Sequence, residues 1–170
     1  YPFIIGKFFS PAMLGFYNRA ENLKNLPQNV YTSVISNVTY PILAQLNTNR
    51  TDLIKGYRKL IQLTSFLYFP VIMLVMALAK TIVIVLLTEK WMLSIPILKG
   101  LAIAALLYPI HALNLNVLMV KGRSDLFLKL EFIKKILLLV TLVISIQWGI
   151  MGLVIGQIFY SISALSINTF

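Results

Sequence analysis

"ILLLVTLVISIQWGIMGLVIGQIFYSISALSINTF", residues 136–170, contains no charged side chain. A single membrane helix needs about 20 predominantly apolar residues. The stretch is too long for one such helix and suffices for two. It divides at Gln147-Trp148-Gly149, a polar, aromatic and helix-poor break. Trp is enriched at membrane–water interfaces, so Trp148 is expected at one.

The rest of the chain reads the same way. Its 170 residues would suit one soluble domain, yet 59% are hydrophobic and 12% charged. An ordinary soluble domain has about 25% charged residues. Mean hydropathy is +0.86. A domain of this size still exposes roughly 30% of its unfolded surface, too much to hide so apolar a composition from water. The expected fold is all-α, a polytopic transmembrane helix bundle. Further uncharged runs cover 25–49, 60–79 and 100–120. They predict five spans, roughly 25–47, 60–80, 95–120, 126–147 and 150–170. Residues 1–9 read as the end of a sixth, and Ser10-Pro11 as the opening of a short loop. The chain starts without Met, ends in an apolar run and shows no signal-peptide pattern. It therefore reads as a piece of a longer polytopic protein, one lobe of about six spans. With no cysteine, disulfides and Cys-ligated metals are excluded.

The formal net charge is +10. A basic chain can bind nucleic acid, but here the positions of the charges decide. Arg50, Lys55, Arg58 and Lys59 follow the first predicted span. Lys121, Arg123, Lys129, Lys134 and Lys135 surround the next turn but one. The intervening connections carry little charge. By the positive-inside rule, 48–59 and 121–125 are cytoplasmic, whereas 10–24, 88–94 and 147–149 are outside. Basic residues that bracket membrane spans do not form a nucleic-acid stripe, so no nucleic-acid partner is expected. Membrane lipids are.

One span is unusual. "NLPQNVYTSVISNVTYPILAQLN", 25–47, is rich in amides and hydroxyls and contains Pro27 and Pro41. Polar residues in membrane helices face a bundle interior or a wet cavity. Asn22, Asn25, Gln28 or Asn29, and Ser33 or Ser36 recur at helical spacing, which predicts one face lining a hydrated passage. The plainer alternative is hydrogen bonding between helices. Arg19 and Lys24 enter this helix and could attract anionic groups. Lys134 and Lys135 precede Trp148 closely. From Lys135 to Trp148 a helix rises about 18–20 Å, less than the roughly 30 Å hydrocarbon core. Both ammonium groups therefore start at some depth. They either snorkel to the headgroups or meet an anion in a cavity, and being about 100° apart they can serve different surfaces.

Catalytic constellations are absent. His111 has no metal-type partner spacing and reads as a packed, hydrogen-bonded residue. No pair of carboxylates suggests acid–base work. Glu131 is expected to pair with Lys135 at i,i+4. "KGRSD", 121–125, lacks the phosphate-loop pattern. Gly122 can end one helix, and Ser124 or Asp125 can cap the next. Neither cofactor nor metal site is expected.

Several stretches together resemble a known family. "SPAMLGFYNRAENLKNLPQNVYTSVISNVTYPILAQL" (10–46) is similar to a loop and helix of the Wzx-type polysaccharide flippases, in the multidrug/oligosaccharidyl-lipid/polysaccharide exporter superfamily. Ser10, Pro11, Leu14, Gly15, Tyr17, Arg19, Ala20, Leu26, Pro27 and Pro41 match its pattern. "LLTEKWMLSIPIL" (86–98) resembles the family's G/T-x-K-W segment, and "LNLNVLMVKGRSDLFLKL" (113–130) its G-R-x-D-L turn. The resemblance implies the second six-helix lobe of a two-lobe transporter in the bacterial cytoplasmic membrane, with an N-terminal lobe as its partner. It implies flipping of a lipid-linked oligosaccharide for cell-surface polysaccharide, lipopolysaccharide included, by alternating access and without catalysis. Basic cavity residues would hold the substrate's pyrophosphate. The candidate substrate-binding residues are Arg19, Asn22, Lys24, Asn25, Asn29, Ser33, Lys134 and Lys135. Some relatives carry a basic residue where this chain has Asn22. Two other readings are a drug or cation antiporter of the same superfamily and a membrane-embedded polysaccharide polymerase. The first calls for a buried Asp or Glu; the second calls for a large loop bearing catalytic residues.

Overall fold

Ser10 and Pro11 start a helix rather than a loop. The Ser10 hydroxyl accepts from the Met13 N–H at 3.3 Å, and Pro11 occupies the first turn, where its missing N–H costs nothing. A computed structural model describes residues 6 and 8–169, except for the Thr169 side chain. The incomplete span expected over 1–9 lies largely outside these residues. Helix α1 runs Pro11–Val34 and continues through a π-helical turn, Ile35–Thr39, into α2, Tyr40–Leu46. The segment 11–24, read from the sequence as an outer loop, is therefore the first part of the polar helix. Pro27 is tolerated inside α1, and Pro41 falls in the first turn of α2.

Helix α3 (Arg50–Ala77) is followed by α4 (Ala79–Leu87) and a 3₁₀ turn, Glu89–Trp91. Then come α5 (Ser94–Ala105), α6 (Tyr108–Val120), α7 (Ser124–Ser145), a second 3₁₀ turn (Ile146–Trp148) and α8 (Gly149–Thr169). Every assigned element among the described residues is helical, as an all-α membrane bundle requires. Among the described residues, three stretches are long and apolar enough to cross a membrane: Arg50–Ala77, Ser94–Val120 and Ser124–Asn168. The last is divided at Ile146–Trp148, and its halves α7 and α8 pack against each other. Arg50–Ala77 has 28 residues, so it is about 42 Å long and overshoots the roughly 30 Å core. Its basic residues, Arg50 to Lys59, thus lie on protruding helical turns instead of in a loop.

The packing centres on α5, which lies against α1, α3, α4 and α8. Its Ile97, Leu98, Leu101, Ala102, Ala104 and Ala105 are all buried. A helix with so many buried apolar positions belongs in the middle of a bundle; Lys99 marks its one charged, exposed position. Gly100 faces Val154 so closely that a Cβ there would overlap the Val154 side chain, which brings α5 and α8 together. Two apolar cores result. One gathers Tyr17, Ala20, Val83, Leu98, Leu142 and Leu153; the other gathers Tyr31, Ile35, Leu43, Tyr68, Ile72 and Leu113.

The ends of the bundle are tied by polar contacts. At one end Ser94 Oγ donates to the Phe16 carbonyl at 2.8 Å. At the other, Asn47 Nδ2 donates to the Val120 carbonyl at 3.0 Å. The basic turn after α6 is a Schellman closure. Gly122 has φ +68°, its N–H donates to the Met119 carbonyl, and the Arg123 N–H donates to the Leu118 carbonyl, both at 3.0 Å. Neither Ser124 nor Asp125 caps α7 with its side chain. Asp125 instead accepts from Arg123 Nε at 3.2 Å and Nη2 at 3.4 Å.

Candidate functional site

Residues of α1 at steps of three and four point inward: Tyr17, Ala20, Lys24, Gln28, Tyr31 and Ile35. The first two enter one core and the last two the other. Between them Lys24 and Gln28 line a cavity of about 270 Å³. The layer separating the two cores is therefore polar. Across the cavity stand His111 and Tyr108 of α6, Lys134 of α7, and Gln157, Tyr160 and Ser161 of α8. Leu101, Ala104 and Ala105 of α5 form an apolar wall.

The two lysines are buried, with relative exposures of 8% for Lys24 and 5% for Lys134. Their partners differ. Lys134 Nζ pairs with Glu131, one turn earlier on α7. Lys24 Nζ donates to Gln28 Oε1 at 3.2 Å and has no ion pair among the described residues; the Glu21 carboxylate, one turn earlier on α1 and outside the cavity lining, attracts it only from a longer distance. Removing an ammonium ion from water costs several kcal/mol unless an opposite charge repays it. The neutral Gln28 amide repays little. The cavity therefore favours an anion beside Lys24, and no carboxylate is among the described residues that line it.

Hydrogen bonds fix the other polar groups. Tyr17 Oη donates to Gln157 Oε1 at 3.1 Å. Ser161 Oγ donates to the Ala104 carbonyl at 2.8 Å, in the last turn of α5 where carbonyls lack helical partners. His111 Nε2 lies 3.1 Å from the Ser161 carbonyl, and Nδ1 lies 3.2 Å from Asn168 Nδ2. The histidine is packed and bonded on both sides, as its sequence setting suggested, but it also faces the cavity. Among the described residues no three His, Cys, Asp or Glu side chains come close enough to hold a metal ion.

The candidate residues read from the sequence separate. Lys24 and Lys134, from α1 and α7, meet in the cavity. Lys135, next to Lys134, is exposed on another face of α7. Glu131 pairs with Lys134, not with Lys135, so the expected i,i+4 pair is replaced by an i,i+3 pair. Arg19 is exposed, and its guanidinium sits 5.2 Å from the Trp91 ring centre. Phe16 meets the same ring edge-on at 5.5 Å, and the ring also lies over Gly15. Asn22, Asn29 and Ser33 are exposed, and Asn25 is half-buried outside the cavity lining. The amide-rich face of α1 thus points away from this cavity, apart from Gln28. Gln157, Tyr160 and Ser161 were not singled out from the sequence. Their only signal was polarity within the apolar run 150–170.

A family model described as polysaccharide biosynthesis protein matches residues 1–96. The chain is 28% identical over 123 residues to the teichuronic acid biosynthesis protein TuaB of Bacillus subtilis, covering 72% of this chain and 26% of that protein. It is 26% identical over 154 residues to the lipopolysaccharide biosynthesis protein WzxC of Escherichia coli, covering 90% and 31%. A membrane protein of the cps region of Klebsiella pneumoniae is 27% identical over 154 residues, covering 90% and 32%. The chain thus spans between a quarter and a third of the length of these curated relatives. No solved structure matches. With the family model covering more than half its length, the chain belongs to the polysaccharide biosynthesis protein family.

Proposed function

We propose that the chain is part of a membrane translocator that flips a lipid-linked oligosaccharide, with Lys24 and Lys134 holding the substrate's pyrophosphate. The observation that carries this reading is Lys24: buried, facing a cavity and without an ion-pair partner among the described residues. A pyrophosphate diester supplies the missing negative charge. Gln28, Gln157, Tyr160 and Ser161 offer donors and acceptors for its oxygens and the first sugar hydroxyls. At about 270 Å³ the cavity is near the roughly 300 Å³ lower end of ligand pockets, enough for a charged headgroup. The names of two relatives, teichuronic acid and lipopolysaccharide biosynthesis proteins, fit a cell-surface polysaccharide unit as cargo. Moving such a unit between leaflets requires no bond to break. Lobes rocking about the cavity would expose it alternately to each side of the cytoplasmic membrane. A cation antiporter would need a free carboxylate, and Glu131 is committed to Lys134.

The test uses full-length protein in proteoliposomes with fluorescent lipid-linked oligosaccharide. Wild type should move the label between leaflets. Lys24→Gln and Lys134→Gln should each slow it at least ten-fold at normal abundance, whereas Lys129→Gln, on the exposed side of α7, should not. An unchanged leaflet distribution with wild type rejects the reading.

A further inference from the structure

His111 is held by two contacts that define its hydrogen. The Ser161 carbonyl only accepts, so Nε2 carries the N–H. Asn168 Nδ2 only donates, so Nδ1 presents a lone pair. The ring is neutral in this arrangement. A second observation concerns Asn168 itself. Its Oδ1 is buried and accepts no hydrogen bond among the described residues. A half-turn of the amide exchanges Oδ1 with Nδ2. Oδ1 then faces Nδ1 and has a donor there if the ring is protonated. Either orientation leaves one amide atom unpaired, so the exchange adds no unsatisfied group. The site contains a partner for both states of the ring.

The His111–Asn168 contact also borders a second cavity at the basic end of the bundle. This cavity, about 380 Å³, is lined by Tyr57, Asn114, Lys121 and Asn168, among others. Asn114 Nδ2 donates to the Asn168 carbonyl at 3.3 Å, and Tyr57 Oη donates to Asn114 Oδ1. The His111–Asn168 contact therefore stands between this cavity and the lysine cavity.

The groups facing His111 are Lys24 from α1, Lys134 and its partner Glu131 from α7, Tyr160 from α8 and Tyr108 from its own helix. Tyr57 of α3 reaches it through Asn114 and Asn168. The two lysines line the cavity with the ring, whereas the carboxylates that act on them, Glu21 and Glu131, stand outside its lining, so the lysines oppose a further positive charge there. A dianion between the lysines removes that opposition. Coupling of this kind is reciprocal, so a protonated ring also favours the anion.

We infer that His111 is a proton-binding site linked to the anion site. When a pyrophosphate diester occupies the lysine cavity, Nδ1 takes up a proton from water and donates it in a hydrogen bond to Asn168 Oδ1. When the anion leaves, the proton returns to water. The inference rests on the anion reading above.

The experiment titrates full-length protein in detergent with P1,P2-dimethyl pyrophosphate, whose charge is constant around neutral pH. Calorimetry in buffers of different ionisation enthalpy counts the protons exchanged. Wild type should take up a substantial fraction of one proton per anion near pH 7. His111→Gln, which keeps a donor for the Ser161 carbonyl, should bind the anion at pH 8.5 within about three-fold of wild type but take up less than a tenth of a proton. Imidazole ¹⁵N signals of the full-length protein give a second reading, the His111 resonances being assigned by their loss in His111→Gln. They should change from the neutral Nε2–H form to imidazolium when the anion binds. Undiminished proton uptake in His111→Gln, or a ring that stays neutral with anion bound, overturns the inference while leaving the anion site standing. If wild type binds no anion, the anion reading falls and the proton site with it.

Discussion

Thr88 is the one described non-glycine residue with positive φ, at φ 77° and ψ 170°. That combination is essentially a glycine conformation, and a β-branched residue held there costs of order 1–3 kcal/mol. The position opens the Thr88-Glu89-Lys90-Trp91 turn, whose family pattern allows Gly or Thr. The strain has a purpose: the turn delivers Trp91 onto Gly15, Phe16 and Arg19 of α1. Thr88→Gly relieves it, less the entropy that glycine adds to the unfolded chain. Stability should rise by about 1 kcal/mol, read as a thermal midpoint a few degrees higher in detergent. An unchanged or lower midpoint would show that the turn is not strained. Trp91 also explains why Arg19 and Lys24 could not be told apart in the sequence. Both are basic and one helix carries both. What separates them is an aromatic ring about 70 residues further along the chain.

At the scale of elements, the α7–α8 hairpin depends on close approach. A Cβ on Gly152 would come within 2.5 Å of the Ser145 carbonyl oxygen and 2.6 Å of Trp148 Cβ. A backbone oxygen in a helix end cannot move aside cheaply. Gly152→Ala should therefore cost about 1–3 kcal/mol, as overpacking does. The check is thermal unfolding beside a control, Ile155→Ala, at an exposed position of the same helix; equal midpoints would contradict the packing. The hairpin was legible because a run of 35 uncharged residues, 136–170, must fold back, and near its middle the polar, aromatic and helix-poor Gln147-Trp148-Gly149 marks the break. The inner face of α1 was not. Amides at 22, 25 and 29 and a hydroxyl at 33 gave the clearest polar periodicity, whereas the buried face alternates apolar residues with one lysine and one glutamine. Hydropathy does not reveal that such a face turns inward. Only the positions of α5 and α8 do. Lys134 was more legible, since so few residues separate it from Trp148.

For the whole molecule, the charges and polar ties agree on an orientation. Thr48 and Ser124 lie at the end marked by the Asn47–Val120 contact, and Glu89 at the end marked by Ser94–Phe16. The positive-inside rule makes the first end cytoplasmic. These 170 residues contain no cysteine, so in a full-length protein freed of any cysteine elsewhere each single cysteine reports on its own position. Thr48→Cys and Ser124→Cys should react with a membrane-impermeant maleimide only after cells are opened. Glu89→Cys should react in intact spheroplasts. The reverse pattern would invert the topology and place the second cavity at the outer surface.

The π-helical turn at Ile35–Thr39 closes with the Tyr40 N–H donating to the Ile35 carbonyl, five residues back rather than four. Such a turn stores one residue beyond what an α-helix of the same rise contains. The helix therefore has a spare position between Tyr31 and Leu43, both buried in the same core. A relative without the turn could place the same two side chains in the same core with one residue fewer. Comparing the two chains would then require a single-residue gap inside what looks like uninterrupted helix. Without that gap, every residue upstream, Lys24 included, would be matched one position out of register.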